Sequence, residues 1–226
     1  MKENTKSFNE ITDKIIATCK ILDDRMNEDG IRFSSENAFV FDFAWQLSKQ
    51  YAEFIKNIDF EVLCYEGFGS DKESGGKYLD LQVEFKNKTQ ITTVGFEFKY
   101  PKKGGGGTRE RRRIIHDLKR INWLVAQKKI DVGVLICATD YNHFMKKQQS
   151  FTEFQIYPGK EFRQGEDLPK DEKRRENYGY YPHDVQCQSD IKFNWSHLNA
   201  DNSNKPSLYS IKQGQWSFLD PIIIAQ

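Results

Sequence analysis

The spacing of apolar positions changes period twice along the chain. Ile11, Ile15, Cys19 and Leu22 recur at helical steps behind Ser7-Phe8-Asn9-Glu10, whose hydroxyl and carboxylate lie three residues apart as in a capping box. This helix is predicted to end between Asn27 and Gly30. Ser34 and Ser35 offer an N-cap to a second helix, from about Glu36 to Ile55. Its sequence is apolar on nearly every side, which predicts deep burial. From Phe60 the period shortens. Phe60 to Tyr65 reads as a strand and Gly67 to Lys77 as a Gly/Ser/Asp-rich loop. Tyr78 to Phe85 alternates, with Leu79, Leu81, Val83 and Phe85 on one side. The turn-like Lys86-Asn87-Lys88-Thr89 follows, and Ile91 to Tyr100 alternates again, so these two runs are predicted to form a hairpin. Gly104 to Gly107 are four consecutive glycines. A third helix, about Arg109 to Lys128, leads to Asp131–Thr139, a continuous apolar run of the kind a strand covered on both faces requires.

The first 140 residues therefore read α, α, β, β, β, α, β. Beyond residue 150 the pattern weakens. Residues 160–176 carry six basic and six acidic side chains, which cancel and read as a solvated face. Tyr178-Gly179-Tyr180-Tyr181 reads as a packed aromatic turn, with base stacking as the less favoured role. Short strands are expected at 191–195, 207–212 and 216–224. With no repeat and no clear linker, one domain is expected over residues 1–226: an α/β core at about 31–140 and a C-terminal elaboration at 150–226.

Composition narrows the class without naming it. At 226 residues the chain can bury roughly 70% of its unfolded surface, enough for a real core. Four cysteines at 19, 64, 137 and 187 form no CxxC pair, which argues against a structural zinc site. There is no leader pattern and no apolar run near the roughly 20 residues of a membrane helix, so a reduced cytoplasmic protein with no membrane partner is expected. The net charge of +1 is uninformative, but its distribution is not. Between Tyr100 and Lys129 ten basic residues face only Glu110 and Asp117, a local excess of eight positive charges.

The hairpin carries the candidate chemistry. Alternation puts Asp80, Gln82 and Glu84 opposite the leucines, and Gly95, Glu97 and Lys99 opposite Val94, Phe96, Phe98 and Tyr100. If the apolar sides face the same helices, Asp80, Glu97 and Lys99 converge on one polar surface. Two carboxylates can hold Mg²⁺, a hard cation that prefers oxygen ligands. A nearby lysine can orient an attacking water or help deprotonate it. Asp80, sixteen further residues, then Glu97-Phe98-Lys99 resembles the Asp…Glu-x-Lys signature of the PD-(D/E)XK nuclease superfamily, over about residues 31–140. Leu79 stands where that family often has a proline. A second Glu-x-Lys, Glu84-Phe85-Lys86, is read as a solvated hairpin edge.

The resemblance implies a restriction-endonuclease-like α-β-β-β-α-β core with a mixed central sheet flanked by helices. It implies a Mg²⁺-dependent (or Mn²⁺-dependent) DNA endonuclease of restriction or related defence type. Asp80, Glu97 and the Phe98 carbonyl would hold metal, Lys99 would position the nucleophile, and Glu36 would hold a second metal or a metal-bound water. Palindromic targets would call for a homodimer. Lys102, Lys103, Arg109, Arg113, His116 and Arg120 are the candidate nucleic-acid-binding residues. Arg109, Arg113, His116 and Arg120 share one stripe of the third helix, opposite Ile114, Leu118, Ile121 and Val125. The alternatives are a nuclease-like fold that only binds nucleic acid or protein, and a repair or recombination nuclease. RNA or single-stranded DNA remains open as substrate. His143, His183 and His197 give no ligand spacing, and Trp123, Trp195 and Trp216 read as core.

Overall fold

The computed structural model describes residues 2–65, 77–87, 90–104, 106–148, 154–169, 185–200 and 209–225. It is an α/β protein built on a mixed sheet. Two helices come first, α1 (Lys2–Asn27) and α2 (Glu36–Tyr51), followed by strands β1 (Ile55–Tyr65), β2 (Lys77–Lys86) and β3 (Ile91–Lys99). Helix α3 (Gly107–Ala126) and β4 (Val132–Thr139) come next. The remaining strands are short: β5 (Glu161–Phe162), β6 (Ile191–Lys192), β7 (Leu198–Ala200), β8 (Tyr209–Ile211), β9 (Ser217–Phe218) and β10 (Ile222–Ala225). The sheet runs β1-β2-β3-β4-β10, with β9 also paired to β4. β1, β2 and β3 are antiparallel neighbours, β3 and β4 are parallel, and β10 returns antiparallel on β4. A parallel pair needs a crossover, and α3 supplies it. Among the described residues no helix is long and apolar enough to cross a membrane.

Alternation along β4 explains its unbroken apolar run. Val132, Val134, Ile136 and Ala138 join the core under α1 and α2, while Leu135 and Cys137 join the core under α3. Phe96, Phe98 and Tyr100 pack toward α2, with Phe39 and Phe43 edge-on or tilted against them. Gly95 and Gly133 are partners across the parallel pair. A Cβ on Gly133 would lie 2.8 Å from Ile121 Cβ, and one on Gly95 would lie 2.8 Å from Leu79 Cδ1 and 2.9 Å from Ile130 Cδ1. The gap at Gly133 lets α3 settle close on the sheet, and the one at Gly95 admits Leu79 and Ile130.

Several expectations from sequence need correction. Helix α1 starts upstream of Ser7, so no capping box is used there. Propagating a helix costs far less than nucleating one, and the residues before Ser7 contain no glycine or proline to stop it. Helix α2 gives way at Ala52 to a 3₁₀ turn, and β1 begins at Ile55. Phe41 and Trp45 of α2 stay 56% and 66% exposed, because among the described residues no layer covers the helix on that side. Leu79 belongs to the core under α3 whereas Leu81, Val83 and Phe85 belong to the other. Alternation therefore breaks between Leu79 and Leu81. The Gly67–Lys77 loop, apart from Lys77 itself, and Tyr178–Tyr181 lie outside the described residues.

Helix α3 keeps Arg109 and Arg113 exposed but buries other basic residues. Residues of the C-terminal elaboration, including Phe154, Ile156, Phe162, Leu168, Val185 and Phe193, pack in one core with Ile114, Ile115 and Leu118. Under that cover Arg111 is only 2% exposed, and it donates to the carbonyls of His143 and Lys146 and to Gln155 Oε1. Lys119 is buried too.

Candidate metal and phosphodiester site

The candidate site lies where the β2–β3 ladder comes apart. Their pairing reaches Leu81 opposite Phe96 and goes no further. There the Asp80 carboxylate takes over from the backbone, accepting the Phe98 N–H at Oδ2, 2.7 Å. One β-step apart on β3, Glu97 and Lys99 point at α3. Glu97 is 1% exposed and Lys99 is 9% exposed, so the polar surface expected from the sequence is an enclosed ion cluster.

Three elements close it. From α3, Arg120 contacts Glu97 Oε1 through Nη1 and Asp117 Oδ1 through Nη2 (3.2 Å), while Asp117 Oδ2 lies 2.8 Å from Lys99 Nζ. From α2, Glu36 Oε1 lies 3.2 Å from Lys99 Nζ, and Glu36 Oε2 accepts the Tyr100 N–H at 3.0 Å. Ser35 caps α2 as its position suggests, accepting the Ala38 N–H, and this fixes Glu36 in the first helical turn. Lys99 Nζ also donates to its neighbour's carbonyl, Phe98 O, at 2.7 Å.

Four carboxylates, those of Glu36, Asp80, Glu97 and Asp117, thus surround two cations, Lys99 and Arg120, a formal charge of −2 with every group ionised. Burial, more than the excess of acid, sets the protonation equilibria of the carboxyls. Burial pushes the Asp80 carboxyl up to about 6, against the pull of Lys99 and the Phe98 N–H. Burial also raises Glu97 well above the ordinary carboxylate range; Arg120 opposes this, and Asp117 and Asp80 reinforce it. For Lys99, burial works against the charge, but Asp117, Glu36, Asp80 and Glu97 outweigh it and hold the ammonium protonated.

A divalent cation fits this donor set in kind and in charge. The donors are hard oxygens, and one such ion offsets a charge of −2. The fit is not yet in ligand geometry: among the described residues no three His, Cys, Asp or Glu side chains converge as a metal cage.

The structure therefore brings Glu36, Asp80, Glu97, Phe98 and Lys99 together and adds Asp117, which the sequence reading passed over. A signal for it existed, because Asp117 falls within the apolar stripe of Ile114, Leu118 and Ile121. Arg120 belongs to the cluster and not to an outer phosphate-binding face, since Asp117 and Glu97 draw it inward. Lys102 donates to the carbonyls of Phe33 (2.8 Å) and Ser34 (3.0 Å), tying the end of β3 to the loop before α2. Lys103, Arg109 and Arg113 are exposed, Arg113 pairing with Glu110 at 3.1 Å, and His116 is half-buried. The elaboration braces the site, for Trp216 stacks on Tyr100 at 4.5 Å with ring planes 5° apart.

No protein-family model matches this sequence, and no curated protein does. Among solved structures, a β-hairpin deletion mutant of beta toxin from Staphylococcus aureus is 16% identical over 58% of this chain and 49% of that one, with a TM-score of 0.24. The chain thus spans about half the length of that protein. A second beta toxin structure from the same organism is 12% identical over 81% of this chain and 82% of that one, with a TM-score of 0.26. Similarity at this level assigns no fold.

Proposed function

We propose that this chain is a Mg²⁺-dependent nuclease of the PD-(D/E)XK type that hydrolyses phosphodiester bonds in DNA. The observation that carries the reading is the enclosed cluster at the β2–β3 fork. There Asp80, Glu97 and Lys99, in the order and spacing of the nuclease signature, share a net negative charge with Glu36 from the preceding helix. The element order α2-β1-β2-β3-α3-β4 supports the same reading.

Asp80, Glu97 and the Phe98 carbonyl would hold the metal, with Glu36 beside it. A bound Mg²⁺ supplies an acidified water and neutralises charge on the phosphate. The other roles belong to the chain itself. Lys99, kept protonated by its four acidic neighbours, acts as a fixed positive charge and hydrogen-bond donor beside the reacting phosphate and not as a base. Asp117 and Glu36 aim its ammonium. Arg120, paired with Glu97 Oε1, offsets the charge of that carboxylate. Lys103, Arg109 and Arg113 form the exposed basic surface available to flanking phosphates.

One observation favours a second reading. Glu97 is nearly inaccessible and already paired, which a purely structural ion network in a binding module would also show. Plasmid and oligonucleotide cleavage with Mg²⁺ or Mn²⁺ separates the two. Cutting by the wild-type chain that is abolished in Asp80→Asn supports the nuclease. DNA left intact across supercoiled, linear and single-stranded substrates supports the binding module.

A further inference from the structure

The Asp80 carboxylate faces two environments. Behind it is the ion cluster. In front of it is a cavity of about 270 Å³ lined by Asn37, Val40 and Phe41 of α2, Phe60 and Glu61 of β1, and Asp80 itself. The rings of Phe41 and Phe60 come from different elements and touch at 4.6 Å between centroids, yet they stay 56% and 39% exposed. Trp45, one turn beyond Phe41 on the same helix face, is 66% exposed and extends the aromatic surface.

The backbone is distorted at the same place. In the β1–β2 pairing Phe60 faces Leu81 and Val62 faces Leu79, so Glu61 falls opposite Asp80. Glu61 adopts a φ of +50°, a left-handed conformation that a glutamate within a strand rarely takes. With the β2–β3 ladder ending on the other side of Asp80, the sheet opens around this residue from both neighbours.

The geometry points to a nucleobase-stacking subsite formed by Phe41 and Phe60, which holds an unpaired base next to the phosphate at Asp80. The inference deepens the nuclease reading and rests on it. Three features choose this occupant. The cavity adjoins the proposed reacting centre through a shared side chain. Its volume lies just below the roughly 300–1,000 Å³ of drug-sized pockets, in keeping with a single planar ring system. The polar groups among its described lining residues are the Glu61 and Asp80 carboxylates and the Asn37 amide, which accept the amino or imino edge of a base. Exposed aromatic rings stack on bases regardless of sequence, and a base held in a duplex cannot reach them. The preferred substrate is therefore single-stranded, or carries a flipped or mismatched nucleotide beside the cut.

The test is titration of the full-length protein in EDTA, where no cutting occurs, into single-stranded oligonucleotides containing 2-aminopurine. Stacking on Phe41 and Phe60 quenches its fluorescence. Phe41→Ala and Phe60→Ala are each expected to weaken binding about five- to 150-fold, and Phe41→Tyr to keep it. Both positions are exposed, and circular dichroism verifies that the variants fold. Affinities unchanged in both alanine variants overturn the subsite. Oligonucleotides that neither bind nor quench also overturn it, leaving the aromatic patch as a surface for a protein partner. Cleavage with Mg²⁺ keeps the two claims apart. Cutting without quenching removes the subsite and leaves the nuclease, whereas quenching without cutting leaves the subsite and removes the nuclease.

Discussion

Replacing Asp80 with asparagine should stabilise the protein while abolishing the proposed metal-dependent cleavage. Asparagine is nearly isosteric and its Oδ1 can still accept the Phe98 N–H, so the strand junction persists. What disappears is a charge the folded state holds at a cost. The folded carboxyl sits at about 6 against an ordinary 3.8, with burial as the main cause. The native protein thus binds this proton more tightly than the unfolded chain does. The stability it contributes is fully present below about pH 4 and is lost as pH rises through about 6. At 1.36 kcal/mol per pKa unit the difference amounts to at most about 3 kcal/mol. Solvent reaching the front of Asp80 lowers the expectation to about 1–3 kcal/mol, or roughly 2–12 °C in melting temperature for a chain of this size. Urea melts at intervals from pH 4 to 8 measure it. The asparagine variant should match wild type near pH 4 and exceed it above pH 7. Millimolar Mg²⁺ should raise the wild-type midpoint, by mass action, and leave the variant unmoved. A variant less stable than wild type at pH 8, or a margin that does not change with pH, would refute the claim that Asp80 is a desolvated carboxylate. An undiminished Mg²⁺ response would remove it from the metal site.

Four further outcomes follow from the same geometry. Lys99→Met keeps the aliphatic stem but removes the ammonium, and cleavage by the folded variant should fall about a hundredfold or more. Arg120→Met strips the cation from Glu97, which is 1% exposed, and should cost about 3–5 kcal/mol without metal. Thermal melts should then show Mg²⁺ rescuing this variant at lower concentration than it stabilises wild type. Gly95→Ala places a methyl 2.8 Å from Leu79 Cδ1 and 2.9 Å from Ile130 Cδ1, so the urea midpoint should drop by about 1–3 kcal/mol at constant slope. Trp216→Ala removes the ring stacked on Tyr100 and should cost about 3–5 kcal/mol, with cleavage reduced because the Tyr100 N–H to Glu36 contact loses its brace.

Local pattern alone determined a good deal of this molecule. The alternation of β2 and β3, the apolar run of β4, the Ser35 cap on α2 and the order of elements all follow from interactions between residues near in sequence. So does the placing of Phe96, Phe98 and Tyr100 on one face and Glu97 and Lys99 on the other, because a strand can present its side chains in no other way. Tertiary structure decided how those faces are covered. Arg111 and Lys119 are buried, not solvated, because residues beyond 150 pack over α3, and no periodicity within the helix reports a neighbour so remote in sequence. Phe41 and Trp45 are exposed, although the sequence of α2 is apolar all round, because among the described residues no further layer closes over that side of the helix. The close seat of α3 over Gly133 brings Asp117 and Arg120 onto Glu97 and Lys99, turning a wet hairpin face into an enclosed ion cluster. The break in alternation at Leu79, which opens the sheet around Asp80, likewise depends on a contact with Ile130 and the gap at Gly95. Strand geometry chooses which side chains point the same way; only the packing of distant segments chooses what they meet, and charge and access at a buried site depend on what they meet.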